Sequence, residues 1–260
     1  MSDPSSDEIL YAVDGRIATI TLNRPEQRNS VSPELTTQLA AAMDRFEADE
    51  EVWVGILTST GPMFCAGADL KAIGAGRGEE LSTQAGGFGG FVRYPRTKPV
   101  IAAVRGFALA GGTELVLACD LVVAGTDAQF GVPEVTRGLV AAAGGLFRLP
   151  RVLGQARALE LILTADRLGA EEAHRLGMVN HLVEPEAVLD RARELAERIC
   201  RNAPLAVRES LAIARDALFI SDEEGWTRSA EAMDRVRGSD DVREGIAAFL
   251  AKRDPQWTGR

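Results

Sequence analysis

The sequence predicts an α/β fold with a helical C-terminal region, and three observations carry that prediction. Short β-branched apolar runs alternate with helix-period stretches as far as residue 153. Two of those runs lead into side-chain-poor turns, Ala66-Gly67-Ala68 and Ala110-Gly111-Gly112. From Ala170 onward the apolar spacing is mostly helical. A chain of 260 residues can hold one large core with a smaller appendage.

Ile9 to Val13 and Arg16 to Leu22 flank Asp14-Gly15, a hairpin signal. The residues from Asn23 to Ser30 form a polar loop. Ser32-Pro33 then supplies an N-cap and a first-turn proline for a helix ending near Asp49, whose apolar face is Leu35, Leu39, Ala42, Met43 and Phe46. Val52 to Thr58 reads as a strand broken by Thr60-Gly61-Pro62. Gly74 to Gly90 is glycine-rich with few anchors, which predicts a mobile segment over a site.

Val100 to Val104 is a buried strand that delivers the chain into Gly106 to Asp120. In that stretch, glycines let the backbone bend or approach a neighbour before a short apolar helix with Glu114 in its first turn. Leu121 to Ala124 and Ala128 to Phe130 read as short strands, and Gly144-Gly145 opens a helix ending near Leu153. In the tail, Val188, Ala192, Leu195 and Ile199 are helically spaced, as are Leu205, Leu211, Ala214 and Leu218. A last helix over Val242 to Lys252 groups Ile246, Phe249 and Leu250. Asn202-Ala203-Pro204 marks the boundary between a core, 1–201, and a helical region, 202–260. Too small to hold much core alone, that region must pack on the core, on a second subunit, or on both.

Composition narrows the function. A net charge of −9 argues against a nucleic-acid partner. Cys65, Cys119 and Cys200 form no CxxC pair and lie among apolar neighbours, so they read as reduced thiols in a cytoplasmic protein. His174 and His181 are the only histidines, little material for a metal site, and no metal is expected. The polar start, Met1 to Asp7, lacks a signal-like apolar run, and no stretch is apolar enough to predict a membrane span.

Two small-residue loops after strand-like runs could together offer backbone N–H groups to one developing oxyanion. Glu114 and Glu134, each beside a glycine-rich or proline turn, are the carboxylates that could work beside it. Such a pair next to an oxyanion hole suits acid–base chemistry at the carbons next to a carbonyl.

Over essentially its whole length the chain resembles the enoyl-CoA hydratase/isomerase (crotonase) superfamily. The matching pieces are Leu22-Asn23-Arg24-Pro25 with Asn29, Phe64 to Lys71, and Lys98 to Val104. They continue with Ala110 to Leu115, Cys119-Asp120, Phe130 to Glu134, Gly144-Gly145 with Arg148-Leu149, and Glu244 to Arg253. The resemblance implies a core of ββα spiral turns and a C-terminal helical region that assembles a homotrimer or a dimer of trimers. It implies an acyl-CoA thioester as substrate, coenzyme A being part of the substrate rather than a separate cofactor.

By the same resemblance the thioester oxygen accepts from the N–H groups of Ala68 and Gly111. Glu114 deprotonates water for attack on C3, and Glu134, next to Pro133, protonates C2. The expected reaction is hydration of a 2-trans-enoyl-CoA or the reverse dehydration. Double-bond isomerisation and a betainyl-CoA-like hydration are alternatives, as is a non-catalytic acyl-CoA binder. A helix N-terminus should hold Glu114 ionised, while an apolar pocket raises the pKa of Glu134. Adenine and pantetheine are expected along Ala66, Asp69, Leu70 and Lys71, with Lys71 and Arg28 reaching phosphates. Phe249 and Lys252, of this or a neighbouring subunit, would close over the adenine.

Departures from the family pattern stand at Glu26, at Arg105, and at Val140-Ala141-Ala142-Ala143, where relatives carry a proline-glycine pair in a segment expected to line the acyl pocket.

Overall fold

The computed structural model describes residues 7–260, so the polar start of the chain up to Ser6 lies outside the described residues. Strands β1 (Ile9–Asp14) and β2 (Ile17–Leu22) form the predicted hairpin. Asp14 pairs with Ile17, so the turn is Gly15-Arg16, one residue later than expected, with Gly15 at φ 54°. Ser32 caps helix α1 (Pro33–Ala48) by accepting from the Leu35 N–H, and the whole predicted apolar face is buried.

Strands β3 (Val54–Ser59), β6 (Val100–Val104) and β8 (Leu121–Gly125) continue the main sheet in parallel, in the order β1-β2-β3-β6-β8-β11. The last member, β11 (His181–Val183), has three residues and too short a pattern to read from sequence. Asn180 docks it, its Oδ1 accepting from the Val122 N–H at 2.7 Å. As expected for a parallel strand covered on both faces, β6 alternates between two cores. Val100, Ala102 and Val104 join the core containing α1, and Ile101 and Ala103 the one capped by helix α7 (Val188–Cys200).

A second, smaller sheet positions the site. Strand β7 (Phe107–Leu109) pairs in parallel with β9 (Gln129–Gly131), and β10 (Leu168–Gly169) pairs antiparallel with β9. Two isolated parallel bridges, Cys65 to Ala108 and Val31 to Ala68, extend the same rows. Four main-sheet strands, β2, β3, β6 and β8, are therefore each followed by a short extended piece in the second layer and then by a helix. These helices are α1, α2 (Leu70–Gly74), α3 (Gly111–Ala118) and, after a 3-10 turn over Pro133–Arg137, α4 (Gly145–Leu153). This is the ββα spiral that the resemblance implied.

The segment expected to be mobile divides in two: residues 74–80 are exposed, with nothing within 4 Å of a Cβ at Gly74 or Gly76, whereas Gly86 to Gly90 are buried or half-buried. It forms a 3-10 turn and a hairpin, β4 (Ser82–Thr83) and β5 (Gly87–Phe88). A Cβ on Gly90 would meet the Thr36 carbonyl at 2.8 Å, and one on Gly86 the Gly90 carbonyl at 2.1 Å. Gly90 serves close approach to α1, and Gly86 close approach to Gly90.

Beyond α4 come α5 (Gln155–Thr164) and α6 (Ala170–Arg175), then α7, α8 (Pro204–Asp216), α9 (Asp222–Arg237) and α10 (Asp240–Ala251). Helix α8 is tied to the core by Arg215, whose Nε lies 2.7 Å from Asp120 Oδ1; Arg96 holds the other carboxylate oxygen at 2.9 Å. Leu218, Trp226, Phe249 and Leu250 are exposed by 72%, 78%, 82% and 75%, an apolar surface that the tail leaves uncovered. Among the described residues, no helix is long and apolar enough to cross a membrane.

Candidate active site

The stacked rows bring the two small-residue loops into contact. A Cβ on Gly67 would come within 2.7 Å of Ala110 Cβ and 3.0 Å of Gly111 N, and one on Gly112 within 2.2 Å of the Cys65 carbonyl. Only glycine allows this approach. Val31 donates to the Gly67 carbonyl and accepts from the Asp69 N–H, at 2.8 and 2.9 Å. That bridge uses the peptides on either side of Ala68 and leaves the Ala68 N–H out. Gly111 is the first residue of α3, where the N–H has no partner within the helix.

Ala110 stands just before it at φ 54°, ψ −128°, a conformation that costs a residue with a Cβ roughly 1–3 kcal/mol. The strain is held by the Ala110 N–H bond to the Gly131 carbonyl at 2.8 Å and by the Glu114 N–H bond to the Ala110 carbonyl at 3.2 Å.

Both loops open on a cavity of about 1170 Å3 whose wall also includes Glu114 and Glu134. Glu114 is 3% exposed, and its Oε1 accepts from the Gly145 N–H at 2.9 Å. Burial pushes its pKa up to about 7; the Glu134 charge acts in the same direction, against the Gly145 and Ala143 N–H groups and the Arg148 charge. The expectation that the helix N-terminus holds Glu114 ionised is thus reversed. Glu114 bonds to the Gly145 peptide, and removal from water outweighs those favourable contacts. Burial also raises the pKa of Glu134, opposed by its own backbone N–H and by Arg137. Glu134 Oε2 is buried with no hydrogen-bond partner among the described residues. In an enzyme such an atom is a candidate for bonding to substrate.

Of the residues singled out in sequence, Arg28, Ala66, Ala68, Leu70, Gly111, Glu114, Pro133 and Glu134 line this one cavity. The other four do not. Asp69 caps α2 by accepting from the Lys71 N–H at 3.0 Å and pairs with Arg24 at 3.2 Å, which gives it a structural task. Lys71 is exposed at the start of α2. Phe249 is exposed on α10, and Lys252 terminates that helix in the left-handed region, φ 53°.

Of the Val140 to Ala143 segment, Val140, Ala142 and Ala143 line the cavity, and Ala141 is buried behind it. Arg105 instead faces Glu186, 3.8 Å away. Lys98, one of the chain's three lysines, is 1% exposed and donates through Nζ to the Phe46 and Asp49 carbonyls at 2.6 Å each. It caps the end of α1.

Sequence reasoning missed Gly145 as a donor to Glu114, Phe88 as a wall, and Arg148. A Cβ on Gly111 would be 2.4 Å from the Phe88 ring, so that ring packs directly on the loop. Arg148 donates to the Val92 carbonyl at 2.7 Å. The only sequence signal for Gly145 was the Gly144-Gly145 pair itself, and Phe88 lay in a stretch without periodicity.

Comparison with known proteins is consistent across methods. The family model described as enoyl-CoA hydratase/isomerase matches residues 13–260. The chain is 39% identical over 260 residues to a carnitinyl-CoA dehydratase of Salmonella arizonae, covering 98% of this chain and 99% of that one. It is 40% identical over 249 residues to a mevalonyl-coenzyme A hydratase of Aspergillus fumigatus, covering 93% and 91%. The crystal structure of an enoyl-CoA hydratase from Mycobacterium tuberculosis superposes with a TM-score of 0.93 at 48% identity, covering 97% and 99%.

Proposed function

Because the chain belongs to the enoyl-CoA hydratase/isomerase family, we propose that it hydrates a 2-trans-enoyl-CoA to a 3-hydroxyacyl-CoA, or catalyses the reverse dehydration. The observation that supports this best is the presence of two carboxylates, buried Glu114 and half-buried Glu134, on the wall shared with the Ala68 and Gly111 peptides. In this reading the ionised Glu114 takes a proton from water as the oxygen bonds to C3. The π electrons move onto the thioester oxygen, where the Ala68 and Gly111 N–H groups stabilise the enolate. Protonated Glu134 then gives its proton to C2. Glu114 ends protonated and Glu134 ionised, and exchange with solvent resets both.

A raised pKa suits both tasks, since a base poised near the working pH and an acid protonated there are the effective forms. Coenzyme A enters as part of the substrate, with Arg28, Ala66 and Leu70 along its path. Asp69 shapes that path as the α2 cap, and Lys71, Phe249 and Lys252 reach the phosphates and adenine from the rim or from a neighbouring copy. The uncovered apolar surface of the 202–260 region fits a homotrimer or a dimer of trimers. Three free cysteines suit a reducing, cytoplasmic setting.

Isomerisation needs one proton shuttle and leaves the second glutamate without a task. A betainyl substrate, suggested by the carnitinyl-CoA relatives, carries a quaternary ammonium. Besides Arg28 on the coenzyme A path, the cavity wall offers Arg93, Arg137, Arg148 and Arg167, and among the described residues it has no acid other than Glu114 and Glu134. That lining repels a cationic acyl group.

The test is turnover of a panel of enoyl-CoA thioesters, crotonyl-CoA included, followed by loss of the conjugated-enoyl absorbance and product mass. Addition of one water to at least one member is expected. A panel in which none gains water, or in which double bonds only migrate, would overturn the reading.

A further inference from the structure

We infer that Thr113 is a positioning residue, its hydroxyl fixing the separation between the two glutamates; this rests on the hydratase reading above. Thr113 is fully buried, at 0% exposure, immediately before Glu114 on α3. Its Oγ1 lies 2.6 Å from the Ala108 carbonyl and 2.8 Å from the Gly131 carbonyl, and accepts from the Gly131 N–H at 3.0 Å. Ala108 belongs to β7 and Gly131 to the end of β9, three residues before Glu134. One hydroxyl therefore joins the row that launches Glu114 to the row that launches Glu134.

The bond is needed where it stands. The parallel pairing of β7 with β9 ends at Leu109 and Gly131, and the Gly131 N–H turns to the Thr113 hydroxyl. The Gly131 carbonyl already accepts from the N–H of Ala110, the residue that precedes Gly111, at 2.8 Å. A hydroxyl has one proton, so it donates to one carbonyl at a time and accepts with its lone pairs. The shorter contact favours Ala108, and the hydroxyl then bridges Ala108 and Gly131 in a single donor–acceptor chain. Nothing here touches substrate. Instead, the hydroxyl fixes the register between a helix start and a proline turn, and a misplacement on the order of 1 Å at a reacting centre costs about 10²-fold in rate.

Thr113→Val keeps the shape and removes the bridge, Thr113→Ser keeps the bridge, and Thr113→Cys replaces the hydroxyl with a weak hydrogen-bonding group of similar size. Each is assayed as the full chain on whichever panel thioester the wild type hydrates, across pH, with thermal unfolding alongside. The expected result is a 10- to 100-fold lower kcat in Thr113→Val with KM within threefold of wild type. Its kcat–pH limb should also move, because the Glu114–Glu134 repulsion changes with their spacing, while Thr113→Ser stays within threefold. If Thr113→Val does not fold, Thr113→Cys should fall at least tenfold below Thr113→Ser. A kcat within twofold of wild type in folded Thr113→Val, or equal values in Ser and Cys, would overturn the inference while leaving the hydratase reading intact. A wild type that hydrates no member removes that reading, and this inference with it.

Discussion

The Gly145 N–H donates to Glu114 Oε1 at 2.9 Å, while a Cβ built on Gly145 would lie only 3.2 Å from that oxygen and 3.0 Å from Ala141 Cβ. One glycine therefore supplies a hydrogen bond to the carboxylate and the space in which it rests. Gly145→Ala keeps the N–H but crowds the carboxylate. We expect kcat to fall roughly 10- to 100-fold with modest loss of stability, as for other small displacements of a reacting group. Steady-state kinetics on a hydrated thioester checks this; a kcat unchanged by the methyl group would contradict it.

The pH dependence of stability has a definite sign. Folding raises the pKa of Glu114 to about 7. Between roughly pH 4.3, the unfolded value, and pH 7 the folded state thus holds more of this proton than the unfolded chain. Stability associated with the group is complete below that window and is lost as pH rises through it, by about 4 kcal/mol at full ionisation. Glu114→Gln removes the buried charge while keeping an acceptor for Gly145. Its melting temperature should exceed that of wild type at pH 8 and match or fall below it at pH 5. The same variant should lose about 10²–10⁴ in kcat, as should Glu134→Gln, if these carboxylates move the protons. Thermal melts at both pH values and initial rates decide the matter.

Ala110 offers the opposite trade. Its φ of 54° is strained for alanine and ordinary for glycine. Ala110→Gly should raise stability by about 1 kcal/mol, read from urea unfolding. Its catalytic effect should be small, because the Gly131 and Glu114 bonds that set the turn are backbone bonds. A destabilised variant would show that the alanine methyl is holding the loop through packing.

Lys98 is a structural counterpart. Its ammonium serves two carbonyls at the end of α1. Lys98→Met would leave both unpaired in a buried place. A loss of about 2–4 kcal/mol is expected, with activity per folded molecule unchanged. Unfolding and specific activity together test it, and a variant as stable as wild type would refute the capping role.

The strands and helices that carry chemistry were legible because each announces itself locally. Ser32-Pro33 started α1 where expected, and Val100 to Val104 read as a buried strand from composition alone. Glu114 and Glu134 stood out through the turns beside them. What was illegible depended on neighbours far along the chain. Of the glycines of 74–90, Gly74 and Gly76 stand open in an exposed stretch, whereas Gly86 and Gly90 are close contacts with each other and with α1; a sequence does not say whether a missing side chain serves freedom or proximity. The ionisation of Glu114 was misjudged for the same reason: its helix is local, but the burial that raises its pKa, and the Glu134 charge that adds to it, outweigh the Gly145 and Ala143 N–H groups, and all of these are tertiary. Strand β11 and the hydroxyl bridge of Thr113 are likewise tertiary facts with almost no periodic trace. The family resemblance supplied the spiral, which no single element encodes.

The most direct measurement of the central claim is turnover in doubly labelled water, with deuterium and oxygen-18, analysed by mass spectrometry of the acyl product. Hydration by the two glutamates predicts one oxygen-18 at C3 and one deuterium at C2 in every product molecule, with both lost together in Glu114→Gln and Glu134→Gln. Deuterium incorporated without oxygen-18, as double-bond migration would give, would contradict the account.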